Sequence, residues 1–189
     1  TGACAADLWL RMRSPSVFPL AEAGPGHGTL LTAALRATRG VPGFHQAMQL
    51  HLLEVGTVLK AEQARVLSGY NPVWHDDADA LMRGGNGPIF LIANEFFDAL
   101  PIRQLQRGEG GWLERRIATD ERGAFAFGLA PAPQDLLAMV PRPVDQNARE
   151  DDVFEVSPVR SGVMARFCNG LHQRGGAALI IDYGHGVPG

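Results

Sequence analysis

The strongest constraint on the fold is a regular alternation of apolar runs and helical segments over the first half of the chain. Short runs rich in aliphatic residues predict strands at 17–23, 48–55, 73–75 and 88–93. The segments between them predict helices at 29–38, 57–67 and 78–82. Strands that alternate with helices form a mostly parallel sheet that is covered by helices on both faces. We therefore expect an α/β fold.

The alternation stops after residue 100. Segments 102–107 and 112–118 flank the glycine-rich turn 108–111, which predicts a β-hairpin, and 125–129 predicts a further strand. Residues 130–147 hold four prolines and predict an irregular loop.

The alternation then resumes with a predicted helix at 157–173 and a predicted buried strand at 177–183. The simplest organisation is one domain over 1–189 with a hairpin and loop insertion at 101–152.

Composition excludes several classes of function. The net charge of -3 argues against a nucleic-acid-binding protein, which would carry a basic face. No apolar run approaches the roughly 20 residues of a membrane span. Cys4 and Cys168 lie far apart and the histidines show no ligand spacing, so we expect no metal site and a reducing compartment. Few lysines and many alanines, arginines and glycines favour a bacterial cytoplasm.

A loop with three glycines follows the first predicted strand. Gly24, Gly26 and Gly28 allow tight turning and close approach of a ligand to the backbone, and Glu22 precedes them. The helix that follows points free amide groups at such a ligand. The loop matches neither a dinucleotide fingerprint nor a phosphate loop, because the spacing differs and no lysine follows. A glycine-rich turn without a ligand is the alternative.

An acidic residue ends the second predicted strand. Glu54 follows an apolar run, so it would lie at the carboxyl end of a strand next to the glycine loop. A carboxylate in that place can accept hydrogen bonds from both hydroxyls of a ribose. Alone, Glu54 is more simply a solvated acid at a strand end; together with the loop it favours a ligand.

Four segments carry a family resemblance: EAGPGHGTLL at 22–31, LLEV at 52–55, IANEFFDALP at 92–101 and ALIIDYGH at 178–185. Together they resemble the MidA family of S-adenosylmethionine-dependent class I methyltransferases. The resemblance extends over nearly the whole chain, and the third segment is the most specific. The family includes the mitochondrial complex I assembly factor that methylates an arginine of a complex I subunit, so the resemblance implies the mitochondrial matrix for a eukaryotic form.

The resemblance implies a Rossmann-like fold and a cofactor, S-adenosylmethionine. It implies that Glu22 and the glycine loop hold the methionine end and that Glu54 holds the ribose. The adenine would lie near the end of the third strand, where Asp77 or Asp76 could bind its amino group. A solvated acidic turn is an equal alternative for this pair.

The end of the fourth predicted strand supplies the candidate catalytic residues Asn94, Glu95 and Asp98. If the next segment is helical, Glu95 and Asp98 share a face, and two carboxylates suit a guanidinium with its fork of donors. An acid between apolar Ile92 and Phe96 is costly unless it is paired or used. The alternative is that Glu95 caps a helix and Asp98 is solvated.

The sequence departs from the family at several points. Gly56 and Thr57 stand where the family has Ser-Pro, and His27 stands where arginine is common. Family chains are nearly twice as long, so we expect this sequence to be a partial chain.

The sequence thus predicts methyl transfer to a protein side chain, with arginine of a complex I subunit as the acceptor that the family implies. Two alternatives remain open. One is an assembly factor that binds a partner with little catalysis, for which hairpin residues Trp112–Ile117 could form the docking surface or simply a solvated edge. The other is a nicotinamide-dependent oxidoreductase, which the glycine spacing disfavours. The oligomeric state is not predicted.

Overall fold

The computed structural model describes residues 1–184 and divides into two compact units. The first unit comprises Thr1–Ala99 and the residues from Val163 onward, and the second comprises Leu100–Gly162. The predicted insertion at 101–152 falls within the second unit. His185, the last residue of the fourth family-like segment, lies outside the described residues.

The bounds of the elements are as follows. The helices are α1 (Gly2–Arg11), α2 (Thr29–Ala37), α3 (Phe44–Ala47), α4 (Thr57–Val66), α5 (Ala78–Arg83), α6 (Gln134–Leu137), α7 (Arg142–Asn147) and α8 (Pro158–Arg174). The strands are β1 (Phe18–Ala23), β2 (Met48–Leu53), β3 (Val73–His75), β4 (Ile89–Asn94), β5 (Arg103–Gly108), β6 (Gly111–Thr119), β7 (Phe125–Pro131), β8 (Val153–Val156) and β9 (Gly176–Ile181).

The first unit is built on a five-stranded parallel sheet in the order β3-β2-β1-β4-β9. All six residues of β1 are buried, as expected for a central strand that is covered on both faces. Four aromatic rings pack edge-to-face or tilted in the core beside it: Trp9, Phe18, Phe44 and Phe90. The predicted α/β fold with a parallel sheet and flanking helices is confirmed.

The second unit is a four-stranded antiparallel sheet in the order β7-β6-β5-β8. One face of β5 and β6 carries Leu105 and Trp112, which pack with Leu136 and Val156 in a separate small core. Glu114 is 1% exposed and forms ion pairs with Arg103 and Arg116, so its burial is compensated. The predicted hairpin and the strand after it are confirmed.

Three predictions about local structure are wrong. The strand predicted to be buried at 177–183 is β9, and none of its residues is buried. Residues 95–100 form a turn and not a helix, so the helical spacing proposed for Glu95 and Asp98 does not apply. Residues 130–147 are not a continuous irregular loop, because they contain α6 and α7. Pro133 and Pro141 are the N-cap residues of these two helices. Proline is well tolerated at a helix start, so a proline-rich segment can still hold short helices.

Candidate functional site

The glycine loop lies at the carboxyl ends of β1 and β2 and adopts a conformation that favours glycine. Gly24, Gly26 and Gly28 have φ angles of 64°, 52° and 76°, all in the left-handed region. A Cβ atom at Gly24 would lie 2.9 Å from the ring of Phe96, whereas a Cβ atom at Gly26 would meet no atom within 4 Å. The loop therefore packs tightly at its first glycine and faces open space at its second.

Glu22 is a buried carboxylate at the base of this loop. It lies next to the last residue of β1 and is 2% exposed. Its Oε2 atom has no hydrogen-bond partner among residues 1–184. Burial raises the pKa of Glu22 to about 7. A buried acid without a partner is costly for a fold to keep, and a cation bound beside it would remove that cost.

Glu54 follows β2 and is held on two sides. The backbone N–H of Gly56 donates to its Oε1 at 2.7 Å, and Nε2 of Gln63 donates to its Oε2 at 3.2 Å. Gln63, in α4, also donates to the carbonyl oxygen of Gly26 at 2.7 Å. Sequence reasoning missed Gln63, since a single glutamine within a helix gives no signal of its own.

The candidate catalytic residues lie at the end of β4. Asn94 is the last residue of that strand and pairs in register with Ile181 of β9. Glu95 has a φ of 54°, which is uncommon for a residue with a side chain and costs on the order of 1–3 kcal/mol. Such strain is often found at functional sites, where the surrounding structure enforces it.

Residues after β9 join this cluster. The backbone N–H of Asp98 donates to Oδ2 of Asp182 at 3.2 Å, and the backbone N–H of Glu95 donates to the carbonyl oxygen of Ile181 at 2.8 Å. A hydrogen bond to Glu95, together with the nearby carboxylates, raises the pKa of Tyr183. Glu95 and Asp98 are both exposed, so the expectation that burial between apolar neighbours constrains Glu95 is wrong.

The acids after β3 have local partners. Oδ1 of Asp77 accepts a hydrogen bond from the backbone N–H of Ala80 and caps α5. Asp76 forms an ion pair with Lys60 at 2.6 Å, and this hydrogen bond and charge lower its pKa. The assignment of Asp77 to the adenine stays a prediction.

Within 1–184, no group of three or more His, Cys, Asp or Glu side chains is placed to hold a metal ion. No helix in that range is long and apolar enough to cross a bilayer.

These features together define a class of protein. A parallel sheet in the order β3-β2-β1-β4-β9, with a glycine loop after β1 and an acid after β2, is typical of α/β domains that bind an adenosine-containing cofactor at the carboxyl ends of their strands. Residues 2–188 match the family described as "Putative S-adenosyl-L-methionine-dependent methyltransferase". The chain belongs to this family.

Relatives with established names are similar over part of their length. The chain is 32% identical to the mitochondrial protein arginine methyltransferase NDUFAF7 of Xenopus tropicalis over 203 residues, which cover 94% of this chain and 46% of that protein. It is 31% identical to NDUFAF7 of Danio rerio and 28% identical to that of Homo sapiens, with 94% of this chain covered in both cases. The chain spans less than half the length of these relatives.

Solved structures show the same fold. An uncharacterized protein of Burkholderia thailandensis superposes with a TM-score of 0.74 at 22% identity, covering 97% of this chain and 48% of its own. A structure from the same organism with S-adenosyl-homocysteine bound also gives a TM-score of 0.74, at 23% identity and with 97% and 46% coverage.

Proposed function

We propose that this chain binds S-adenosylmethionine at the carboxyl ends of β1 and β2 and transfers its methyl group to a protein side chain. The observation that carries the proposal is Glu22, a buried carboxylate whose Oε2 has no partner among the described residues. It lies beside a glycine loop with open space at Gly26. The residues present therefore fit a small cationic ligand that approaches the backbone closely.

In this proposal, the residues at the carboxyl ends of β1 and β2 bind different parts of the cofactor. Glu22 pairs with the ammonium group at the methionine end, and the loop with the N-terminus of α2 receives the carboxylate through backbone amides. Glu54 accepts hydrogen bonds from the ribose hydroxyls. S-adenosylmethionine supplies an electrophilic methyl group when bound.

The acceptor site lies at the ends of β4 and β9. Glu95, Asp98 and Asp182 place three carboxylates together, and a guanidinium offers five donors to such a set. Glu95, which is exposed, binds the acceptor guanidinium and offsets its positive charge, and the proton that the guanidinium loses on methylation passes to solvent. Asn94 supplies an amide beside it. Most of the rate gain then comes from positioning and from preorganised charge.

The nature of the acceptor is inferred from the relatives. Arginine is proposed because proteins about 30% identical to this chain are named protein arginine methyltransferases. A subunit of respiratory complex I as the substrate rests on the family resemblance. We further propose a cytoplasmic location in a bacterium, whereas the named relatives are mitochondrial.

The cofactor is tested first, by calorimetry with S-adenosyl-homocysteine and with NADH. Binding of the first and not of the second supports the proposal. The reverse result would favour an oxidoreductase.

Catalysis is tested by single-turnover methyl transfer to a protein or peptide substrate with the cofactor site saturated. Glu95→Gln should lower the rate by about a hundredfold, the usual effect of removing one preorganised electrostatic group. Glu54→Gln is the control. It should weaken cofactor binding by about 1.5–3 kcal/mol and leave the saturated rate nearly unchanged. A Glu95→Gln rate within threefold of wild type would contradict the assignment.

One observation supports a second candidate, the partner-binding protein without catalysis. In the antiparallel sheet, Ile117, Phe125, Phe127 and Leu129 share one face and are all more than half exposed. Exposed apolar patches of this kind mark protein interaction sites. This candidate would be favoured if the wild-type protein binds the cofactor but transfers no methyl group to any protein of the host.

A further inference from the structure

Gln63 is a buried polar side chain that contacts three parts of the candidate cofactor site. It is 0% exposed and lies in α4. Its Nε2 donates to Gly26 O at 2.7 Å and to Glu54 Oε2 at 3.2 Å. Its Oε1 accepts from Nε1 of Trp74, in β3, at 2.8 Å. One carboxamide thus joins the glycine loop, the proposed ribose acid and the strand on the adenine side.

These partners fix the orientation of the carboxamide. The indole nitrogen of Trp74 can only donate, so it faces Oε1 of Gln63. The amide nitrogen must then face two acceptors, and it has two hydrogens to give them. No other hydrogen-bonding side chain of similar length supplies two donors and one acceptor in this arrangement. The geometry therefore requires glutamine and not merely a polar residue.

The contacts also orient Glu54. Gln63 occupies one side of its Oε2, and the N–H of Gly56 occupies one side of its Oε1. A carboxylate has about four acceptor positions, so the remaining ones stay open for a ligand. The neighbouring residue Glu62 bonds to Nδ1 of His27 at 2.6 Å, which gives α4 a second link to the same loop.

We propose that Gln63 is a positioning residue that couples the two ends of the cofactor site. By bonding to both Gly26 and Glu54, it holds the loop and the ribose acid in one fixed relation. A ligand that contacts both then binds to a preorganised site, whereas a ligand that contacts only one gains little from the link. This inference rests on the proposed function, since it assigns the two contacts to the two ends of S-adenosylmethionine.

The test compares two ligands, S-adenosyl-homocysteine and adenosine, by calorimetry. Adenosine lacks the amino-acid end. Gln63→Leu should lower the affinity for S-adenosyl-homocysteine by about 30-fold and the affinity for adenosine by no more than about threefold. Gln49→Leu is the matched control, because it removes an exposed glutamine near the amino end of β2. It should change neither affinity by more than twofold.

A double-mutant cycle gives the second readout. If Gln63 holds the loop and Glu54 in one relation, then Glu54→Gln should cost less S-adenosyl-homocysteine affinity in the Gln63→Leu background than in wild type, whereas its cost in adenosine affinity should be nearly the same in both backgrounds. Gln63→Glu provides an independent variant, since it keeps the size and the bond from Trp74 but faces Glu54 with a second carboxylate. It should weaken S-adenosyl-homocysteine more than Gln63→Leu does.

The outcomes separate the two proposals. If wild-type protein does not bind S-adenosyl-homocysteine, the proposed function fails. If wild type binds S-adenosyl-homocysteine, but Gln63→Leu lowers the affinities for both ligands equally and the double-mutant cycle is additive, then Gln63 is only a packing residue. That result would overturn the inference. The same conclusion follows if both variants fail to fold, as circular dichroism and thermal melting would show.

Discussion

The parallel sheet has one edge formed by the amino ends of its strands and another formed by their carboxyl ends, and the two differ in how their charged groups are paired. At the amino-end edge, in the segment that leads into β4, four backbone carbonyl oxygens accept hydrogen bonds from the guanidinium of Arg174 at 2.8–3.3 Å. They belong to Met82, Gly84, Gly85 and Gly87. At the edge formed by the carboxyl ends of the strands, Glu22 of the central strand β1 is buried with an oxygen that has no partner among residues 1–184. At the first edge, a half-buried guanidinium has acceptors for its donors, whereas at the second edge a buried carboxyl oxygen has no partner among the described residues.

Two histidines near the amino-end edge are also hydrogen-bonded within the protein. Nδ1 of His51 lies 2.8 Å from Nε2 of His75, and the two rings stack. Burial, His75 and Arg174 lower the pKa of His51 to about 4. His51 is thus a hydrogen-bonded core residue. We infer that the edge with satisfied groups stabilises the fold, whereas the edge with the unpartnered acid is available for a ligand.

The largest effect is expected at the ligand edge, from Gly26→Val. Its left-handed backbone strains a β-branched residue, and the added side chain would fill the open space that the cofactor needs. We expect S-adenosyl-homocysteine to bind at least a thousandfold more weakly, or ~4 kcal/mol, by calorimetry. Gly40→Val is the control, because its Cβ also meets no atom within 4 Å and its φ is not positive. Equal affinities in both variants would refute the assignment of the loop.

The next largest effect is expected at the opposite edge, from Arg174→Met. The variant keeps much of the packing but leaves four carbonyl oxygens without their donor. We expect the free energy of unfolding to fall by about 3 kcal/mol, measured by denaturant titration. Arg166→Met removes an ion pair with Asp79 whose side chains are both about half exposed, and it should cost no more than about 1 kcal/mol. Comparable losses in the two variants would contradict the contrast between the edges.

Glu22→Gln should separate stability from binding. A raised folded pKa means that the folded state holds the proton more strongly than the unfolded state between pH 4.5 and about 7. Stability is therefore lost as the pH rises through this window, and the ligand-free variant should be about 2 kcal/mol more stable than wild type at pH 8. The same variant should bind S-adenosyl-homocysteine at least tenfold more weakly. A less stable variant at pH 8 would show that Glu22 has a compensating partner.

The smallest effect concerns the histidine pair. His51 has a lowered folded pKa, so the unfolded state takes up the proton first as the pH falls below 6.5. In the Glu22→Gln background, stability should fall by about 1 kcal/mol between pH 6.5 and 5. Adding His51→Gln should flatten this dependence. An unchanged slope would assign the dependence to other groups.

The sequence predicted the parts of the molecule that depend on local pattern. Apolar runs and the glycine loop placed β1, β2 and β4, because buried strands and left-handed turns restrict residue types strongly. The pattern could not reveal Gln63 or Arg174, since each acts through partners that are distant in the chain. Neither did it reveal β8, which has only four residues, Val153–Val156.

The end of β4 shows how residues can lie together for a reason other than the one predicted. The sequence places Asn94 and Glu95 at the end of a strand and joins Asp98 to Glu95 through a predicted helix, whereas the structure has a turn there and the residues after β9 lie beside it. A hydrogen bond from Asp98 to Asp182 joins positions 84 residues apart, which no local periodicity can predict.

The pairing of β4 with β9 has a consequence for synthesis on the ribosome. The segment Leu100–Gly162 is translated after β4 and before β9. The fifth strand, β9, can therefore pair with β4 only after this whole segment has been made. An unfolded segment of that length would make closure slow, because the entropic cost of joining the ends must be met first. The antiparallel sheet has its own small core, and its folding would shorten the effective distance that the nascent chain has to close. During that interval the free edge of β4 is exposed to other newly made chains, and rapid folding of the intervening segment shortens the interval.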